Sequence, residues 1–492
     1  MKILLVYPLY PDSFWSLRHA LRFISKKAAV PPLGLITVSA MLPSTWEKKL
    51  IDMNVSTLKP KDIQWADYVF ISAMYIQKES VDYVIGECIK QAVKIVAGGP
   101  LFTQEYQNYP QIDHFILNEA EITLPQFLKD LEEGHPERVY RASHFPDITS
   151  TPVPDFQLLS RKNYAYMNIQ VSRGCPFSCE FCEITSLFGH KVRLKSTEQI
   201  LNELEKLYAL HWRGNVFVVD DNFIGNKKVI KQDLLPAMKK WMQKHNHPFV
   251  FNTEASIDLA DDDELLGLMV DAGFSSVFIG IETTETNSLK ECNKIQNIKK
   301  DLIESVKKIQ HAGMAVSGGF IVGFDNDSPS VFQRLTDFIQ QSGIVSAMVG
   351  LLNAPKNTKL YNRLMSEGRL TSEATGNNTD LSMNFIPRMN YNELIAGYKN
   401  IIHDIYTTKP YYNRVRKLLL NYKPHYKKPV SINFTTLVAF IKSIFIIGVM
   451  NKGRSNYWKL MIWTLFRRPG SIVDAITYAI YGYHFRSVYG LR

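Results

Sequence analysis

Cysteine is scarce in this chain, five residues in 492, and that scarcity excludes a disulfide framework as the basis of its fold. Long apolar runs are missing too. The N-terminus, Met1-Lys2-Ile3-Leu4-Leu5-Val6-Tyr7-Pro8, has one basic residue and an apolar stretch too short for a secretory signal. The segment from Phe434 to Met450 is 17 residues long, is interrupted by Lys442, and falls short of a membrane span. Acids are nearly absent from one end: Lys409 to Arg492 holds 15 Lys and Arg against Asp474 alone, a net +14, so residues 1–408 sum to −4 within a total of +10. The basic balance therefore belongs to the tail. These absences point to a reducing, cytoplasmic setting in which Cys88 and Cys292 are buried thiols. The length implies two or three domains, and 46% hydrophobic with 21% charged residues is ordinary for a globular protein.

Three of the five cysteines stand together in Ser172-Arg-Gly-Cys-Pro-Phe-Ser-Cys-Glu-Phe-Cys182. A C-x3-C-x2-C run can place the thiolates of Cys175, Cys179 and Cys182 on three corners of a [4Fe-4S] cube and leave the fourth iron open to a small-molecule ligand. Gly174 and Pro176 bend the backbone so that a short loop turns its sulfurs to one point. Zinc prefers four closed ligands, and the missing fourth argues against it. The loop resembles that of the radical S-adenosylmethionine (SAM) superfamily, whose C-x3-C-x-aromatic-C pattern matches Cys175, Cys179, Phe181 and Cys182. The resemblance implies that the free iron chelates the amino and carboxylate groups of SAM. It also implies that one electron from an external reductant cleaves SAM to a 5′-deoxyadenosyl radical, and that Phe181 packs beside the adenine.

Before this loop, residues 1–135 alternate candidate strands (Lys2–Tyr7, Lys49–Met53, Tyr68–Ala73, Lys94–Ala97, His114–Leu117) with helical patterns. This spacing predicts a doubly wound, Rossmann-like parallel sheet, whose ligands sit at the carboxyl ends of the strands. The loops at those ends carry Tyr7 and Pro8, Met74, the Gly98-Gly99-Pro100 turn, and Asn118-Glu119. Residues 136–165, with Pro146, Pro152 and Pro154, read as a linker. Such a domain ahead of a radical SAM core resembles the cobalamin-binding domain of the B12-dependent branch, and Pro31-Pro32-Leu33-Gly34-Leu35 strengthens the likeness. The resemblance implies cobalamin held by Tyr7, Pro8, Gly34, Met74, Gly98, Gly99, Pro100, Asn118 and Glu119. The D-x-H-x-x-G signature that gives cobalt a histidine elsewhere is absent; His19 lies seven residues after Asp12.

Residues 166–375 repeat the alternation at a longer period. Strands are expected at Met167–Ser172, Asn215–Val219, Phe249–Thr253, Ser276–Ile281, Val316–Val322 and Val345–Leu351, which predicts a partial (β/α)6 barrel of the TIM type. At the strand ends stand Asp220-Asp221-Asn222-Phe223, Glu254-Ala-Ser256 and Gly-Ile-Glu282-Thr. Carboxylates there can accept hydrogen bonds from an ammonium or from ribose hydroxyls. The fifth strand carries Gly319-Phe-Ile321-Val-Gly323, whose glycines match the superfamily's G-x-I-x-G pattern and imply room for adenine. SAM contacts are therefore expected at Phe181, Asp220, Asp221, Asn222, Glu254, Ser256, Glu282, Ile321 and Gly323.

Residues 376–492 read as a mainly helical, basic extension. Lys409 to Lys428 interleaves seven Lys or Arg with Tyr411, Tyr412, Tyr422 and Tyr426, and the apolar residues from Phe434 follow helical spacing. This tail suits an anionic membrane surface or a helical cap over the barrel, and no nucleic-acid module appears. The three parts together resemble the group of cobalamin-type radical SAM proteins that includes hopanoid C-2 methylases. That likeness implies methyl transfer to an unactivated carbon of a lipid-like or other small molecule. One SAM yields the radical, the substrate radical takes methyl from methylcobalamin, and a second SAM remethylates cobalt. The alternatives are a cobalamin-type radical enzyme that cyclises or rearranges without methylating, and a non-enzymatic iron–sulfur redox or sensor protein.

Overall fold

Strand β1 (Lys2–Tyr7) buries four consecutive side chains, Ile3 to Val6. A strand apolar on both faces must be covered on both, which is the condition of a parallel sheet between helices. In a computed structural model, which describes residues 1–298, 300–423 and 434–491, β1 lies inside a six-stranded sheet. Its companions are β2 (Glu47–Asp52), β3 (Tyr68–Ser72), β4 (Lys94–Gly98), β5 (His114–Ile116) and β6 (Val139–Tyr140). The order is β2-β1-β3-β4-β5-β6 with every pair parallel. The chain reverses direction across the sheet between β1 and β3, so the crevice for ligands opens at the ends of these strands. β6 comes from the segment expected to be linker. Phe115 and Leu117 donate their amides to the carbonyls of Arg138 and Tyr140, so the sheet edge recruits two residues before the prolines end regular structure.

The second sheet closes partway into a barrel. It runs β14 (Ala347–Leu351), β13 (Ala315–Val322), β12 (Phe274–Glu282), β11 (Phe249–Ala255), β10 (Gly214–Val218) and β7 (Met167–Ile169), all parallel. Helices between the strands pack outside, and Asp262 and Asp301 cap two of them by accepting the Leu265 and Glu304 amides. The first barrel strand, expected to continue to Ser172, stops at Ile169, and Ser172–Arg173 forms β8, antiparallel to β9 (Arg193–Leu194). Here the backbone must leave the barrel to carry the cysteine loop across its mouth.

The tail is helical: Tyr391–Tyr406, Thr408–Asn421, Phe434–Ser443 continued by a wider turn Ile444–Met450, Arg454–Arg467 and Ile472–Val488. Its core is continuous with the barrel's. The Tyr406 and Tyr398 hydroxyls donate to the carbonyls of Ala347 and Val349, so the extension covers the β14 edge. The helical-cap expectation therefore describes its first two helices. Tyr426 and the basic residues Lys427 and Lys428 lie outside the described residues. Among the described residues no helix is long and apolar enough to cross a membrane.

Ile279 on β12 is fully buried. Ile279→Ala is expected to cost about 2–5 kcal/mol through lost burial and the cavity left behind, read as a lower urea midpoint at unchanged slope.

Candidate active site

The cysteine loop needs a glycine and several anchors to hold its shape. Gly174 has φ +93, and a Cβ on it would lie 2.7 Å from the Lys191 carbonyl oxygen, so only glycine fits. The Cys175 amide donates to the Gly189 carbonyl, the Cys182 amide to that of Cys179, and the Glu180 amide to that of Cys292. Asn293 Nδ2 donates to the Ser178 carbonyl at 3.0 Å. Beneath the loop, Arg363 ties Glu180 to Asp325 at 2.7 and 2.8 Å. Burial pushes all three thiols up, Cys182 to about 12. Three clustered thiols that burial disfavours as free anions fit a metal centre that neutralises them and keeps one position open. Of the remaining thiols, Cys88 is buried on the helix Lys78–Lys90 that packs against the first sheet, and Cys292, which lies near Cys179, turns its Sγ to the Leu289 carbonyl.

Among the described residues a cation faces the thiols, and the motifs in the sequence did not reveal it. Lys294 Nζ pairs with Glu282 at 2.6 Å, both side chains nearly buried. Burial works against the charge of Lys294, and the combined pull of Glu282, Cys179 and Cys182 outweighs it, so the ammonium is held above its usual range. Glu282 sits at φ +64, a left-handed conformation costly for a residue with a side chain. Glu282, expected as a ribose acceptor, is engaged by Lys294 through Oε1.

The other mouth residues divide into braces and free acids. Asp220 accepts from the Val171 amide at 2.7 Å and the Ser172 hydroxyl at 2.5 Å. Asn222 accepts from the Ser256 amide at 3.2 Å. Both are buried, and they hold the ends of β7, β10 and β11 together. Asp220, Asn222 and Ser256 thus shape the mouth through one another. Asp221 and Glu254 are half-buried and unbraced. Burial and then the neighbouring Asp220 lift Asp221 to about 7, while burial and then Asp221 lift Glu254 to about 8. This pair resists carrying two negative charges until a cation arrives, which suits the ammonium and sulfonium of SAM. Phe181 lies 6.2 Å, ring to ring, from Phe324, beside Gly323. Asn252 Oδ1 on β11 and Gln296 Oε1 are buried without partners, polar groups that a bound molecule can satisfy.

A cavity of about 270 Å³ opens where the two domains meet. Gly34, Gly98, Gly99, Pro100, Asn118 and Glu119 line it from the first sheet; Gln170, Arg173, Leu187, Phe188 and Val219 line it from the barrel side. Gly99 has φ +92 and a Cβ on it would lie 2.9 Å from Ser72 Oγ, and Asn118 Oδ1 is buried without a partner. A wall stripped of side chains, with an unsatisfied amide oxygen, fits a large flat ligand carrying amide groups. Tyr7, Pro8 and Met74 do not line this cavity. Tyr7 meets Tyr10 at 2.5 Å, Tyr10 donates to Met74 Sδ at 3.2 Å, and the Pro8 carbonyl accepts from Gln77. His19 pairs with Asp12 at 2.6 Å.

Four charges fasten the cavity to the cysteine loop. Arg173 reaches Glu119 at 2.5 Å and Glu121 at 2.8 Å, and Arg193 reaches Glu119 at 2.7 Å. All four side chains are about nine-tenths buried. Burial alone would raise the Glu121 carboxyl, but Arg173 and the Thr151 hydroxyl outweigh it and hold it below its usual range. Sequence spacing could not reveal this network, since its partners lie 52 to 74 residues apart.

Arg173→Ala leaves two buried carboxylates short of a partner and is expected to cost about 3–5 kcal/mol, measurable by urea unfolding at pH 7. Glu254 binds its proton more tightly folded than unfolded, so in the cluster-free protein it lowers stability as pH climbs from its ordinary 4.5 to about 8. Glu254→Gln is expected to flatten that part of the stability–pH curve; an unchanged slope would remove Glu254 as its source.

A family model described as the radical SAM superfamily matches residues 169–339, and one described as a domain of unknown function matches residues 358–490. The chain is 41% identical to an uncharacterized methyltransferase of Synechocystis, over 99% of this chain and 91% of that protein. It is 30% identical to the hopanoid C-2 methylase of Rhodopseudomonas palustris, over 98% of this chain and 92% of that one. In fold it is similar to TsrM of Kitasatospora setae, solved with cobalamin and a [4Fe-4S] cluster (TM-score 0.61, 14% identity, 93% of this chain and 98% of that). It is also similar to OxsB, solved with aqua-cobalamin and SAM (TM-score 0.62, 17% identity, 96% and 75%). With its cysteine loop in place and its whole length aligned to methylases, the chain belongs to the radical SAM superfamily, in the methyltransferase family that contains the hopanoid C-2 methylase.

Proposed function

We propose that this radical SAM methyltransferase is cobalamin-dependent and methylates an unactivated carbon of a lipid-like substrate, drawing its electron from an external one-electron reductant. The observation that carries the reading is the shared wall: the helix that follows Cys182, Ile184–Phe188, lines with Leu187 and Phe188 the same cavity as Gly98, Gly99 and Asn118. A ligand of the first domain and a ligand of the cluster would then meet at one place.

Cys175, Cys179 and Cys182 would hold the cluster, Asp221 and Glu254 would face SAM, and the cavity wall would hold the corrinoid. When bound, cluster and SAM supply the radical that abstracts hydrogen, and the corrinoid supplies the methyl group. The chain's own residues do the rest. Lys294 places a positive charge beside Cys179 and Cys182, favouring their thiolates. Asp221 and Glu254, sharing protons when the mouth is empty, release them as a cation binds. Arg173 and Arg193 fix the two halves of the site at one distance, and the apolar Leu187 and Phe188 exclude water from between them. The lipid character of the substrate rests on the full-length kinship with a hopanoid methylase and on the basic tail, and it places the enzyme's work at an anionic membrane surface.

Anaerobic protein made with hydroxocobalamin present is expected to contain stoichiometric cobalt with corrinoid absorption bands. Iron and sulfide without cobalt would make the first domain a substrate or partner domain. Cys179→Ala is expected to abolish 5′-deoxyadenosine formation on reduction with SAM, and retained cleavage would sink the cluster assignment.

A further inference from the structure

The paired helices that follow residue 433 leave one side uncovered. Phe434–Ser443 with its continuation Ile444–Met450 buries Ala439, Ser443, Ile447 and Gly448, and exposes Leu437, Ile441, Phe445 and Val449. Arg454–Arg467 buries Tyr457, Leu460, Met461 and Thr464, and exposes Trp458, Ile462, Leu465 and Phe466. Each exposed set recurs every three to four residues, so each helix carries one apolar stripe outward. The second helix packs on the continuation Ile444–Met450: Ser443 and Tyr457 hydroxyls are 2.9 Å apart, and Trp458 Nε1 donates to the Gly448 carbonyl at 2.9 Å. Phe445 is 60%, Met450 78% and Phe466 80% exposed, far from the isolated surface apolars that need no explanation.

The surrounding charge selects the occupant. From Phe434 to Val473 there are six Lys and Arg and no acid. Lys452, Arg454, Lys459 and Arg467 are exposed, and among the described residues none is in an ion pair with a carboxylate. A second copy of the chain meeting this face symmetrically would bring cations against cations. A bilayer with anionic headgroups instead accepts both parts, apolar side chains below and cations at the phosphate level. The helices are too short to span it.

The hairpin is also placed to serve the site. Lys442 Nζ donates to the Arg22 carbonyl and the Ser25 hydroxyl, fixing the hairpin on the segment that follows Phe14–Ser16. Within that turn Trp15 meets Phe278 edge-on at 5.2 Å. Phe278 lies on the face of β12 that also carries Gly280 and Glu282, two and four residues on.

We propose that the hairpin of residues 434–467 lies in the surface of an anionic bilayer, with Leu437, Ile441, Phe445, Ile462, Leu465 and Phe466 below the headgroups. The docking stands on the hairpin alone; that it brings the barrel to its substrate rests on the lipid reading above. The test is flotation of the full-length protein under anaerobic conditions with vesicles of phosphatidylglycerol mixed into phosphatidylcholine, against phosphatidylcholine alone. Wild type is expected to float with the anionic vesicles and to be released by salt. The double variant Phe445→Ser/Phe466→Ser is expected to bind roughly tenfold less or weaker still, with unchanged 5′-deoxyadenosine formation from SAM in the absence of substrate. Lys452→Glu/Lys459→Glu, which leaves the packed face untouched, is expected to erase the preference for anionic vesicles. Wild type that stays in solution, variants that float as well as wild type, or a wild-type dimer broken by the Phe substitutions would overturn the proposal. Flotation intact with no methylation of any membrane lipid would remove the lipid reading and leave the docking in place.

Discussion

Everything in this molecule depends on four charges buried between its two sheets. Removing Arg173, Arg193, Glu119 and Glu121 from water is costly, and the cost is recovered only when each guanidinium finds its carboxylate in good geometry. Arg173 stands next to Gly174 and two residues before the first cysteine of the loop, and Glu119 follows the strand end that lines the cavity. An interaction that tolerates only one arrangement thus fixes the separation of the two cofactor regions. An apolar contact of equal area could slide; this one cannot without stranding a charge.

Within the mouth, the electrostatics are arranged around what is yet to bind. Lys294 and Glu282 form a closed pair beside the thiols, whereas Asp221 and Glu254 are held where a second negative charge is unwelcome. One side of the mouth is therefore satisfied in advance and the other is poised to welcome a cation. Residues adjacent in the linear motif part company in role: Asp220 and Asn222 brace strand ends, and Asp221 between them is half-buried and unbraced.

Much of this is legible in the sequence, and the reasons are local. Parallel strands buried on both faces read as apolar runs, so five strands of the first sheet and all six of the barrel show to within a few residues. The cysteine spacing announces its chemistry unaided. What stays hidden depends on contacts distant along the chain. β6 exists because β5 has an unpaired edge, and the prolines nearby speak against it. Lys294 sits in an unremarkable Asn-Lys-Ile stretch and acquires meaning only when Glu282 folds over it. Tyr7, Pro8 and Met74 stand at strand ends, where a cofactor is expected, and there Tyr7 and Met74 each bond Tyr10 while Pro8 bonds Gln77. The stripe on Arg454–Arg467 shows ordinary amphipathic spacing, and nothing in that spacing says which side the rest of the chain leaves bare.

Gly280, Glu282 and Lys294 have a bearing on how such a site can change over time. A Cβ on residue 280 would sit 2.4 Å from Glu282 Oε1 and 2.8 Å from Lys294 Nζ. Any larger residue there must therefore push aside the tips of both partners in the ion pair. The three positions are therefore coupled: a side chain at 280 moves the carboxylate of Glu282 and with it the cation that stands beside the thiols, so a change at one position alters what the other two can hold.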